Sequence, residues 1–207
     1  MAVAVRQARQ TPVSRSKRKI PDYLICEVLD GKPLYYKGYE DVLAGKKTLE
    51  EIMGSSSLQA SIVYYLTAFI AKFIDEDQYN VLVSEPGVHL DRRDNVSNDI
   101  AIFDQSVLPG TSISKKYADV PPKIVVEVDI SIAISELTET GYIYKKTGKL
   151  LDFGVEKIIW VLTEAQVVMV ATKERIETFS WDKDIELMDG QKFNIGTYLA
   201  KKGIIVE

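Results

Sequence analysis

The chain has 207 residues, 46% of them apolar and 27% charged, with one cysteine, one histidine and a formal net charge of −4. That balance belongs to a folded globular chain, long enough to build a core without a disulfide or a structural metal. Cys26 has only His89 to help it and cannot make a zinc site. No apolar run approaches the ~18 residues of a membrane span, and the start MAVAVRQARQ lacks the apolar stretch of a secretory signal. A cytoplasmic protein with no membrane partner is therefore expected.

The charge is unevenly spread. Residues 1–20 hold Arg6, Arg9, Arg15, Lys17, Arg18 and Lys19 and no acid, which leaves 20 bases against 30 acids in the remainder. The expected organisation is a basic leader over 1–21 and a single domain over 22–207. The leader reads either as a solvated charged segment or as an arm that binds nucleic acid through counterion release.

Tyr23 to Leu29 is apolar and β-prone, and Asp30-Gly31 before Pro33–Tyr36 predicts a hairpin. Residues 39–53 predict short helical stretches around Gly45. Ser55-Ser56-Ser57 offers N-caps to a helix of roughly 18 residues, whose buried positions are Leu58, Ile62, Leu66, Phe69, Ile70, Phe73 and Ile74. Val81–Val83 and Gly87–Leu90 follow as strands, the latter carrying a half-exposed His89. Residues 91–95 read as a polar loop, and Asp99–Phe103 as a short strand. Lys123–Ile130 is the strongest strand in the chain and is expected at the centre of a sheet. A helix over about 136–152 ends at Gly154, a suitable residue just past a helix terminus. Ile158–Leu162, Val167–Val170 and Glu174–Phe179 are further strands, and residues 193–200 a terminal helix. Tyr64, Tyr65, Tyr142 and Tyr144 fall on helices as packing residues. This order predicts an α/β (α+β) domain with one mixed sheet flanked by helices.

The chemistry is expected in acids set into apolar strands. Glu127 interrupts Val126 and Val128, and Asp99 heads a second strand; these two strands are read as the only ones so marked. Alternation puts Val125, Glu127 and Asp129 on one face. A carboxylate in a central strand costs several kcal/mol unless a cation, a proton or hydrogen bonds attend it. Two carboxylates from neighbouring strands, with a backbone carbonyl, suit Mg²⁺. Lys146, three residues after Ile143 and four before Leu150, borders the buried stripe of the following helix. Its stem can lie on the core while its ammonium reaches the sheet. Lys145 and Lys149 are expected in solvent. Arg92 and Arg93 either hold a phosphate backbone or pair with Asp91 and Asp94. Glu85-Pro86-Gly87 reads as a turn, with an additional carboxylate near the metal as the alternative. The chain has no P-loop, no G-x-S-x-G and no Cys–His pair, which disfavours kinase, triad-hydrolase and thiol chemistry.

Asn98-Asp99 with Glu127-Val128-Asp129 resembles the PD-(D/E)XK nuclease motif. Pro122–Val128, Lys146, Gly154-Val155 and Ile158–Val161 together resemble the Uma-type restriction-endonuclease family of bacteria, over roughly residues 23–190. That resemblance implies a restriction-endonuclease-like fold and a Mg²⁺- (or Mn²⁺-) dependent endonuclease acting on DNA and leaving a 5′-phosphate. Asp99, Glu127 and the Val128 carbonyl would hold the metal, with Asp129 as a further candidate ligand. Lys146 on the helix would replace the strand lysine, whose slot holds Asp129. Asn98 stands where the motif has proline, and Gln59 where members often carry a helix histidine. Cutting both strands implies a homodimer. The alternative is a catalytically inactive member of the same fold that binds nucleic acid or protein.

Overall fold

A computed structural model describes residues 19–133 and 138–206; the basic leader therefore lies, apart from its last few residues, outside the described residues. The centre is β7 (Ile124–Val128), all five residues of which are buried. It sits between β6 (Ile100–Asp104), to which it runs antiparallel, and β8 (Lys157–Leu162), to which it runs parallel. Strands β3 (Tyr79–Val83), β9 (Val167–Ala171) and β10 (Ile176–Ser180) complete a six-stranded mixed sheet in the order β10-β9-β8-β7-β6-β3.

The parallel β7–β8 pair requires a crossover, and α4 (Glu139–Phe153) supplies it. Thr138 caps its start by accepting the Gly141 N–H, and Gly154 ends it with φ of 123°, a value that side chains rarely adopt. On one face of the sheet, Ile124, Val126 and Val128 pack with Ile62, Leu66 and Ile70 of α3 (Ser57–Ile70). On the other, Val125 packs with Tyr142, Ile143 and Leu150 of α4. Glu127 lies on the α4 face by alternation.

The expected single sheet is corrected to three sheets among the described residues. A four-stranded sheet in the order β2-β1-β5-β4 joins β1 (Ile25–Leu29), β2 (Lys32–Tyr35), β4 (Gly87–Asp91) and β5 (Asp94–Ser97). Its Leu29, Val88 and Val96 belong to the same apolar cluster as Tyr142, Ile143 and Leu150, so α4 packs on both sheets. The polar segment 91–95, expected as a loop, is a tight hairpin turn at Arg92-Arg93. Its polar residues are satisfied by cross-links instead of by alternation: Asp94 is buried, accepts the Asp30 N–H and pairs with Lys149. A two-stranded ribbon, β11 (Ile185–Met188) and β12 (Gln191–Phe193), and α5 (Ile195–Lys202) close the α3 side of the core. Helices α1 (Tyr39–Leu43) and α2 (Glu50–Met53) are the two short stretches around Gly45. Helix α3 is shorter than expected, because the chain turns through residues 71–73 instead of continuing to Asp75.

Candidate active site

The β6–β7 register pairs Ile100 with Val126 and Ala101 with Val125. Carried one residue further, it sets Asp99 across from Glu127, on the face that meets α4. Asp99 is half-buried at the strand end, and its Oδ2 accepts the Val128 N–H at 2.6 Å. The side chain of Gln59, in the first turn of α3, also bonds to it. Burial pushes the Asp99 carboxyl up to about 6, against the pull of the Val128 N–H and of Lys146. Burial likewise raises Glu127, to about 8, with Lys146 opposing and the charges of Asp99 and Glu27 adding to the rise.

Lys146 is not at the border of the buried stripe but inside it, 2% exposed. Helix α4 is covered by a sheet on each side, so a residue flanking the Ile143–Leu150 stripe is enclosed as well. The Lys146 ammonium donates to Glu27 Oε1 and to the Ser97 carbonyl, both at 2.7 Å, and lies 2.8 Å from Glu127 Oε1. The last contact is an ion pair without the direction of a hydrogen bond, so Glu127 Oε1 stays buried without a directed donor. The rings of Tyr142 and Trp160 flank the ammonium at 5.9 and 5.6 Å. Burial alone would lower the lysine's pKa; Glu127, Glu27 and Tyr142 outweigh it and hold the group charged.

Glu27 is the residue that sequence reasoning missed. It lies in β1 in phase with buried Leu29 and is 4% exposed. Besides Lys146 it accepts the Tyr142 hydroxyl at 2.7 Å and the Ser97 N–H at 3.1 Å. The signal was present: Glu27 interrupts an apolar run just as Glu127 does, so the strands of Asp99 and Glu127 are not the only ones so marked. Tyr142, expected as plain packing, is part of this network, whereas Tyr64 and Tyr144 are exposed.

Asp129 lines the same small cavity as Glu127 but lies past the end of β7. Its φ of 62° takes the chain out of the strand. Its two oxygens accept the Thr163 N–H and hydroxyl at 2.7 and 2.8 Å, which braces the β8–β9 turn. Arg93 donates to the Asp30 carbonyl at 2.7 Å and its own N–H bonds Asp91, which ties it to the hairpin turns; Arg92 is exposed. Lys145 and Lys149 are not free in solvent: Lys145 pairs with Asp30, and Lys149 with Asp30 and Asp94, all at 2.7 Å. His89 is exposed and bonded to Asn95. Burial pushes the Cys26 thiol up to about 12, which leaves it a poor nucleophile.

Cys26, Glu85, Asn98, Asp129 and Ser131 join the carboxylates and Lys146 around a small cavity of 20 Å³. Glu85, Asp129 and Ser131 also line a groove of 780 Å³ that runs past Ser56 and Gln59 of α3 and Glu139 and Ile143 of α4. The buried acids thus lie beside a cleft large enough for an extended substrate.

Among the described residues, no three His, Cys, Asp or Glu side chains cluster tightly enough to hold a metal ion by themselves. Two carboxylates do fit a hard divalent cation that keeps several waters. The under-bonded Glu127 Oε1 and the raised Asp99 and Glu127 carboxyls are what such a pair shows before a cation neutralises it.

No family model and no curated protein sequence matches the chain. A solved structure does match, that of a "putative nuclease belonging to DUF820" from Anabaena variabilis, with a TM-score of 0.62 and 13% identity. The alignment covers 84% of this chain and 89% of that one. DUF820 is the Uma-type family whose motifs the sequence resembles. The fold is the expected mixed α/β, restriction-endonuclease-like one. No helix among the described residues is long and apolar enough to cross a membrane.

Proposed function

We propose that the chain is a divalent-metal-dependent endonuclease that hydrolyses phosphodiester bonds in DNA. The observation that carries this reading is the placement of Asp99 opposite Glu127 with the buried Lys146 ammonium 2.8 Å from Glu127. The fold shared with a DUF820 protein supports it.

In this reading Asp99 and Glu127 hold Mg²⁺ or Mn²⁺ with help from the Val128 carbonyl. When bound, such an ion lowers the pKa of a water and offsets charge on the scissile phosphate. Asp99 is aimed by the Val128 N–H and by Gln59, so its carboxylate needs little reorganisation. Lys146 has three N–H donors; Glu27 and Ser97 hold two. The third has no directed acceptor and is the one available to steady the attacking oxygen or the phosphate as negative charge builds. The 780 Å³ groove receives the strand, and Arg92, exposed in the β4–β5 turn outside the groove's lining, is a candidate phosphate contact beyond it. Cleavage of both strands uses a symmetric homodimer, and the reaction runs in the cytoplasm.

The test is cleavage of supercoiled plasmid and single-stranded DNA with Mg²⁺ or Mn²⁺. Nicking that chelation stops and that Glu127→Gln abolishes is expected. Wild-type protein that binds DNA but leaves it intact with either ion would instead establish the inactive, binding member of the fold.

A further inference from the structure

We infer that Glu27 is a positioning residue: it is the permanent counter-ion and anchor of Lys146, and so leaves Glu127 free to bind a single divalent cation. The inference rests on the cation-binding part of the function proposed above.

Four charged groups meet on the buried side of the cavity, Glu27, Asp99, Glu127 and Lys146; Glu85 also lines it but is exposed to water, and both Asp129 oxygens are taken by Thr163. With every group ionised, three carboxylates against one ammonium leave two negative charges, which one divalent ion closes. A buried, water-poor site tolerates little uncompensated charge. A second divalent ion at the same place would leave it as far from neutral as it is without any.

The contacts divide the two glutamates by role. Among the described residues, Glu27 is held by three donors: the Lys146 ammonium, the Tyr142 hydroxyl and the Ser97 N–H. Four acceptor positions of a carboxylate are thereby largely filled by well-aligned donors. Glu127 has the Lys146 ion pair and a buried oxygen with no directed donor. Glu27 is therefore built to stay and Glu127 to exchange. If Glu27 were absent, Glu127 would be the ammonium's sole close carboxylate, and an incoming cation would have to displace a buried lysine from it. Ser97 anchors Lys146 through its main-chain carbonyl, which carries no net charge to balance the ammonium.

Titration of the full chain with Mn²⁺ by calorimetry tests this without any need for activity. Wild type takes up one Mn²⁺. Glu27→Gln, which keeps the shape and removes the charge, weakens that binding by about tenfold or more, as loss of a nearby unit charge does at moderate effective dielectric. Glu27→Asp restores most of the affinity. Tyr142→Phe, which removes one bond to Glu27 and no charge, leaves affinity near wild type. Should the Glu27 variants fail to fold, the wild type alone decides: the Lys146 ammonium gives a slowly exchanging NMR signal that persists when Mg²⁺ is added. Two tight Mn²⁺ sites, equal Mn²⁺ affinity in Glu27→Gln, or an ammonium signal released by Mg²⁺ overturns the inference. A wild type that shows all the expected binding and cleaves no nucleic acid ends the nuclease reading and leaves the role of Glu27 standing.

Discussion

Helix α4 makes two sets of lysine–carboxylate contacts with the sheets that cover it, and they differ in what surrounds them. Lys145 and Lys149 meet Asp30 and Asp94 at the rim, with each lysine about a third exposed. Lys146, one residue along, meets Glu27 and Glu127 with 2% exposure. Water reaches the rim lysines and Asp30 and weakens their ties, although Asp94 itself is buried. The inner set bears the full desolvation of three charged side chains, which structure alone does not require, since well-packed apolar residues often serve stability as well or better. The inner set is where chemistry is to be sought, and the rim set is scaffold.

The largest expected effect breaks the inner set. Lys146→Met leaves Glu27 and Glu127 facing each other without a cation. It should destabilise the chain by about 3–5 kcal/mol in urea unfolding, as removal of one partner of a buried pair does. Below its melting temperature the variant should also lose cleavage by a factor of about 10² or more. Full activity in a folded Lys146→Met protein would make the lysine purely structural.

A smaller effect separates the two sets by pH. Asp99 and Glu127 hold their protons more tightly folded than unfolded, up to about 6 and 8. Their contribution to stability is therefore full below the ordinary carboxylate range, near pH 4, and is lost as pH rises through those values. Without metal, wild-type stability should fall relative to Glu127→Gln between about pH 5 and 8, and Mn²⁺ should cancel much of that fall by binding the ionised form. Parallel melting-temperature profiles of the two proteins across this range would contradict the assignment. Asp30 at the rim behaves in the opposite sense: the lysines hold it below its usual range, so its contribution is lost toward acid.

The smallest effect is at the rim. Lys145→Ala should lower the melting temperature slightly, less so at high salt, and leave cleavage unchanged. Loss of activity equal to that of a Lys146 variant would erase the distinction between the two sets.

Much of this was legible in the sequence, for physical reasons. The apolar run around Glu127 marked the central strand, because only a strand buried on both faces carries such a run. The i, i+3 and i, i+4 spacing placed Lys146 against the core. Gly154 ends the helix by a local rule. The remainder depended on pairings distant in sequence. Glu27 gains its meaning from Lys146, 119 residues later. The β4–β5 hairpin looked like a loop because its polar residues answer to Asp30 and Lys149 instead of to a core. Asp129 escaped the alternation rule because its own left-handed backbone ends the strand at Val128, two positions before the Ile130 that hydropathy suggests.

The most direct measurement of the central claim is a crystal structure of the full chain soaked in Mn²⁺, with the ion located by anomalous scattering. One Mn²⁺ bridging the carboxylates of Asp99 and Glu127, with Lys146 still bonded to Glu27 and the Ser97 carbonyl, is the predicted result. Manganese bound elsewhere on the chain, or an Asp99–Glu127 pair that stays metal-free in millimolar Mn²⁺ with Lys146 seated on Glu127, would contradict it.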